Sequence, residues 1–177
     1  ARKKTLLYFI RHGETDDNRN NLWMGRKDLP LNQTGIHQAK AAAKKIATLP
    51  IELIITSPLI RARQTAELIA QQHPGAPAVR IADWLTERDF GPYEGMKKTS
   101  TNRIAMNASA SVESMESLTK RIAALNNVLE SHEHLLIVSH SGVYRCLIES
   151  LGYQSSSKQN SLKNAELVSL TRHCGTY

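Results

Sequence analysis

Three segments of this 177-residue chain carry side chains that could act on a phosphate ester. Arg11-His12-Gly13 follows the apolar run Leu6 to Ile10, and Ser57 to Arg61 follows Leu53-Ile54-Ile55. Ser139-His140-Ser141-Gly142 follows Leu135 to Val138. A phosphate monoester is an unreactive dianion. Its enzymes must neutralise the phosphoryl oxygens, align a nucleophile and protonate the leaving oxygen. Arg11 and Arg61 suit the first task, because a guanidinium offers fixed, paired donors to phosphate. His12 suits the second, since imidazole is substantially neutral and nucleophilic near pH 7. Taken singly, each has an ordinary reading: a histidine at a strand end packs or caps, and a helical arginine faces solvent. His37, His73, His132, His134 and His173 keep that reading, because no matching partners surround them. Joint placement is what sets His12 and His140 apart.

The elements that must deliver these residues can be read from hydrophobic period and punctuation. Leu6–Ile10, Leu53–Ile55 and Leu135–Val138 are short apolar runs of the kind buried in parallel sheets, and Val79–Ala82 predicts a shorter strand. A polar, Asn-rich loop covers about Asp16 to Asn32. Thr34 is placed to cap a helix with the stripe Ile36, Ala39, Ala43, Ile46, Ala47, which ends before Pro50. Ser57-Pro58 predicts a helix start, with the helix running to about Gln72 before His73-Pro74-Gly75. Met96 to Ser111 has no clear period and predicts a short polar, lid-like segment at about 96–112, looped or weakly helical. Glu113–Leu129 predicts one helix, Val143–Leu151 another, and Ala165–Thr171 a last, edge-like strand. The fold class expected is α/β: a three-layer sandwich, its mostly parallel central sheet flanked by helices on both faces. No linker divides residues 1–177, so one domain is expected. Ligands of such sheets bind beyond the carboxyl ends of the strands. Three strand ends thus send two histidines and two arginines toward one edge.

Composition narrows the function classes. The 23 Lys and Arg against 16 Asp and Glu give a formal charge of +7, which fits attraction of small anions to a cleft. Nucleic acid is not expected as a partner, because the basic residues are dispersed and aromatics are only 5%. The Arg2-Lys3-Lys4 cluster reads as a solvated terminus. No apolar run is long enough to span a bilayer, so no membrane partner is expected. Two cysteines, Cys146 and Cys174, without metal-ligand spacing point to a reducing compartment, and a cytoplasmic location is expected. Ala1 need not be the encoded start, so a removed upstream signal is compatible with this reading.

Arg11-His12-Gly13-Glu14-Thr15 with Asn18 resembles the signature of the histidine phosphatase superfamily, the phosphoglycerate-mutase-like fold. Four further segments resemble it in the same order. They are Gly25-Arg26-Lys27-Asp28-Leu29-Pro30-Leu31 with Thr34-Gly35, then Ser57 to Ala62 with Gln64-Thr65-Ala66. Glu87-Arg88-Asp89-Phe90-Gly91 with Tyr93-Glu94-Gly95 follows, then Val138 to Gly142 with Arg145. The resemblance implies a phosphohistidine on His12. It also implies phosphoryl-oxygen contacts from Arg11, Arg61 and His140, with Asn18, Gly25 and the Ser141 N–H as further substrate contacts. Glu87 would protonate the leaving group and then activate water, although its context alone equally suits an ion pair with Arg88. No metal or cofactor is implied, and arginines flanking the histidines would repel a divalent cation. Two departures stand out: Ser141 where many relatives have glycine, and Pro92-Tyr93 where many have a tryptophan.

Only 52 residues separate Glu87 from His140, a shorter stretch than phosphoglycerate mutases of this kind carry. A short polar lid lets water reach a phosphohistidine. Hydrolysis of a small phosphorylated substrate is therefore the expected reaction. The alternatives are a cofactor-dependent phosphoglycerate mutase and a phosphate-binding regulatory protein without turnover. The acid-loop sequence resembles that of small bacterial phosphatases, either of alpha-ribazole phosphate or of broad range.

Overall fold

The computed structural model describes residues 3–174, with side chains from 6 to 172. The expectations for Ala1, Arg2 and the side chains of Lys3, Lys4, His173 and Cys174 lie outside the described residues. The chain begins with β1 (Lys3–Arg11), α1 (Asp16–Arg19), α2 (Gln33–Ile46) and β2 (Leu53–Thr56). It continues through α3 (Ile60–Gln72), β3 (Ala78–Ile81), α4 (Ser100–Ala108), α5 (Met115–Ile122) and α6 (Ala124–Ser131). It closes with β4 (Leu135–Ser139), α7 (Ser141–Glu149), β5 (Gln154–Ser155) and β6 (Leu167–Cys174). These strands form one six-stranded sheet in the order β3-β2-β4-β1-β6-β5. The first four are mutually parallel, and β6 runs antiparallel to β1 and β5.

The period of two in a strand sorts the core into two layers. Leu7, Phe9, Leu53, Ile55, Leu135 and Ile137 face α5, α6 and α7, where Leu118, Ile122, Leu125, Leu129 and Leu147 meet them. Ile10, Ile54, Leu136 and Val138 face the opposite way, against Ala42, Ala43 and Ile46 of α2 and Ala62, Ala66 and Ile69 of α3. Each aliphatic side chain of leucine size buried this way contributes about 1.5–3 kcal/mol. The expected helix-sheet-helix layering is therefore the observed one.

Several local expectations are corrected. The cap of α2 is Asn32, whose Oδ1 accepts the Gly35 N–H at 2.8 Å, and Thr34 lies inside the first turn. Helix α3 starts at Ile60 rather than at Ser57-Pro58 and has no cap from its own segment. Its Ile60 N–H donates to Asp28 Oδ1 at 2.8 Å, so a distant carboxylate does the capping. The segment 113–129 is two helices meeting at Ala123, invisible to periodicity because one apolar stripe continues through both. Residues 100–108 form the regular helix α4, capped by Thr99. Strand β6 is interior, between β1 and β5, so its alternation reflects faces rather than an edge.

His12 sits just beyond β1, on a loop pressed against the start of α2. A Cβ on Gly35 would meet the backbone O and N of Glu14, and one on Gly13 would meet the Gly35 carbonyl. Asn32 N–H donates to Glu14 O at 3.0 Å, and Glu14 N–H donates to Gln38 Oε1 at 2.9 Å. The two glycines thus allow backbone to lie on backbone. Alanine at position 35 gains about 1 kcal/mol of helix propensity. Against this stands a clash with backbone that cannot retreat, typically costing about 1–3 kcal/mol or more. Gly35→Ala is therefore expected to lower the urea midpoint; a midpoint equal to or above that of the parent would refute the close-approach account.

Candidate active site

The parallel register puts three strand ends side by side. Arg11 pairs with Ser139, and Thr56 with Val138. His12 N–H donates to Ser139 O at 3.1 Å, and Ser57 N–H donates to Val138 O at 3.0 Å. The next residues along these strands are thereby gathered: the His12 and His140 ring centroids lie 5.2 Å apart. One pocket of about 230 Å³ is lined by Arg11, His12, Asn18, Gly25, Arg61, Glu87 and Ser141, among others. That volume suits a small ester better than a polymer.

The His12 ring is 3% exposed, and its Nδ1 lies 2.6 Å from Gly13 O. A carbonyl oxygen can only accept, so Nδ1 carries the proton and Nε2 keeps its lone pair. Arg61 Nε–H points at that lone pair across 3.3 Å. Burial, then the charges of Arg61 and Arg11, hold the His12 pKa well below the ordinary histidine range, against a smaller opposing effect of the Gly13 bond. The neutral ring thus offers its Nε2 lone pair to Arg61, and both residues line the pocket.

Arg61 is 1% exposed. Its Nη1 donates to Lys27 O and its Nη2 to Gly25 O, each at 2.7 Å. Burial draws its pKa down to about 10, with Glu87 and Asp28 opposing. Gly25 therefore has a part that its sequence context did not reveal. At φ +53°, where glycine is favoured, it turns its carbonyl onto the guanidinium. Arg11 donates Nη1 to Leu162 O at 2.8 Å, and its buried Nε has no hydrogen-bond partner among the described residues. Asn18 Oδ1 accepts from Thr15 N–H and from Asn164 Nδ2, both at 3.1 Å. His140 Nε2 meets Ser57 Oγ at 2.7 Å, while its buried Nδ1 has no partner among the described residues. Burial, then Arg61, His12 and Arg11, push the His140 pKa well down too.

Glu87 is 6% exposed and, among the described residues, makes no ion pair with Arg88. Its Oε1 accepts the Arg88 N–H at 2.8 Å and its Oε2 accepts the Gly142 N–H at 3.0 Å. Ser141 opens α7 directly beside it. Several neighbours have contacts that the sequence assigned to none of them. Thr65 Oγ1 accepts the Gly13 N–H at 3.1 Å and donates to Arg61 O at 2.9 Å. Arg88, Lys98, Arg103 and Arg145 add four cations to the same wall, with Trp23 and Phe90 as apolar surface. Asn164 Nδ2 also donates to His12 O at 3.2 Å, from a loop with no recognisable pattern. Among the described residues, no cluster of three or more His, Cys, Asp and Glu could hold a metal ion.

Two buried, neutral histidines make stability depend on pH. The unfolded rings take up protons below about pH 6.5, while the folded ones stay neutral. The unfolded chain then binds more protons, so the contribution is complete above about pH 6.5 and is lost as pH falls. The loss reaches up to about 1.4 kcal/mol per pH unit for each ring. Urea unfolding between about pH 7.5 and 5.5 is expected to show this decline, and His12→Asn to make it shallower. An identical slope in the variant would mean that His12 is protonated in the fold.

Comparison with known proteins follows the same lines. Residues 7–176 match the family model of the histidine phosphatase superfamily, branch 1. An uncharacterized phosphatase PhoE of Bacillus subtilis (strain 168) is 33% identical over 171 residues, covering 94% of this chain and 88% of that one. The adenosylcobalamin/alpha-ribazole phosphatase of Salmonella typhimurium is 32% identical over 162 residues, covering 82% and 78%. A phosphoglycerate mutase structure from Thermus thermophilus is 27% identical with a TM-score of 0.72, covering 93% and 92%.

Proposed function

This chain belongs to the histidine phosphatase superfamily, and from that premise we propose that it hydrolyses small phosphate monoesters through a phosphohistidine on His12. The single observation that carries the reading is the neutral His12 ring, protonated on Nδ1 toward Gly13 O, with Nε2 among arginines. In the free protein that lone pair accepts from Arg61 Nε–H. An arriving phosphoryl oxygen is a stronger acceptor for the same N–H. Substrate binding thus moves the arginine's hydrogen bond to the ester and releases the nucleophile.

The sequence of events follows from these positions. Nε2 attacks phosphorus, the N–P bond forms as the ester P–O bond breaks, and the leaving oxygen takes the proton of Glu87. Water then attacks the phosphohistidine, giving its proton to Glu87 as the N–P bond breaks. Arg11, Arg61 and His140 stabilise the phosphoryl oxygens, and the Ser141 N–H, at the start of α7, adds a donor. Asn18, on the pocket wall, adds a polar contact and also braces the loop through Thr15 and Asn164. No step uses a metal ion.

The remaining wall bears on the leaving group. Burial and then the charge of Arg11, with help from Arg103 and Arg145 and opposition from Glu87, lower the Lys98 pKa. No side-chain hydrogen bond or ion pair holds Lys98 or Arg145 among the described residues. Esters whose leaving group pairs an apolar face with a second negative charge fit this wall best. Alpha-ribazole phosphate, the substrate named for the Salmonella relative, belongs in the first panel tested.

The test is turnover. Steady release of phosphate from an aryl phosphate is expected, insensitive to chelators. His12→Ala is expected to lower kcat by about 10³-fold or more. Efficient phosphoryl exchange between phosphoglycerates, with slow phosphate release, would favour the mutase reading instead. Binding of phosphate without turnover of any ester in the panel would favour the regulatory one.

A further inference from the structure

Arg121 lies on α5 and does not line the pocket, yet its guanidinium holds the loop that carries Glu87. Nη1 donates to Trp84 O at 2.8 Å and to Thr86 O at 2.6 Å, and Nη2 donates to Glu87 O at 3.1 Å. The other edge faces Glu113, Nε to Oε2 and Nη2 to Oε1, each at 2.9 Å. Glu113 in turn grips the loop just after Glu87. Its Oε1 accepts the Asp89 N–H at 3.1 Å, its carbonyl accepts Arg88 Nε–H at 2.8 Å, and its own N–H donates to Asp89 O at 2.8 Å.

The clamp answers a structural need. Residues 86–90 belong to no strand or helix, so their backbone groups have no ladder to join. A planar fork with five fixed donors can satisfy several carbonyls at once, which a lysine ammonium cannot do in the same geometry. Burial would raise the Glu113 pKa, but the Arg121 hydrogen bond and the Asp89 N–H outweigh it and hold the carboxyl ionised. The ion pair is 19% and 9% exposed at its two side chains, so solvent competes little for it.

We propose that Arg121, oriented by Glu113, is a positioning residue for Glu87: it fixes the carboxyl on the leaving-group side of the pocket. This rests on the role proposed above for Glu87. Its consequence is selective. Proton delivery matters for a basic leaving group and hardly at all for one acidic enough to depart as an anion.

The experiment compares phenyl phosphate with 2,4-dinitrophenyl phosphate, read as kcat/KM under conditions where phosphorylation limits the rate. Arg121→Gln is expected to lose about 10²-fold on phenyl phosphate, a general-acid effect, and only a few-fold on the dinitrophenyl ester. Arg121→Lys is expected not to restore the phenyl phosphate rate, whereas added guanidinium is expected to restore part of it in Arg121→Ala. Glu113→Gln, which keeps the fork's partner but removes its charge, is expected to show the same selectivity more weakly. Equal losses on both esters across these variants would overturn the positioning role. That result would leave the phosphatase reading intact, because turnover of both esters by the parent protein carries the latter.

Discussion

A single hydrogen bond, from His12 Nδ1–H to the carbonyl of the next residue, determines what the pocket can do. It commits the ring's one proton to the Gly13 side and leaves the buried Nε2 with its lone pair beside Arg61. Arg61 Nε–H, which can only donate, selects the same tautomer from the other side of the ring. Burial and the Arg61 and Arg11 guanidiniums keep the ring uncharged, so the tautomer persists below the usual titration range. In the proposed mechanism nucleophilicity is a product of placement, since an ordinary histidine side chain supplies it.

That placement depends on backbone order on both sides of the ring. The His12 N–H continues the ladder between β1 and β4, and Gly13 donates its N–H to Thr65 on α3. Gly13 and Gly35 let the following loop lie against α2 with no side chain between. Arg61 is anchored by carbonyls of Gly25 and Lys27, and Asp28 of that segment caps α3. His12, Arg61 and the loop after β1 are therefore one braced unit. Glu87 comes from a different part of the fold and has separate support in Arg121 and Glu113.

The fold is legible in the sequence because β1, β2 and β4, at the centre of the sheet, are built on short, largely buried apolar runs. His12, Arg61 and His140 are legible because each follows such a run at the end where parallel sheets bind ligands. Other features act through contacts that leave no local pattern. Arg121 sits on the polar side of an amphipathic helix, where a charge looks solvated, and only the fold reveals the carbonyls waiting for it. Asp28 caps a helix that begins 32 residues later, and Asn164 reaches His12 from the far end of the chain. Strand β5 is two residues long and takes its definition wholly from β6. Gly25, read from the sequence as a substrate contact, lines the pocket and also gives its carbonyl to Arg61, a contact that leaves no local pattern.

In the proposed mechanism Nε2 of His12 takes the phosphoryl group. Rapid mixing with an aryl phosphate, quenching in base and recording the phosphorus NMR spectrum of the denatured protein tests it directly. A base-stable phosphohistidine at residue 12, substituted on Nε2, is expected. Phosphate on Nδ1 of that ring, on another side chain, or on no residue during active turnover would contradict it.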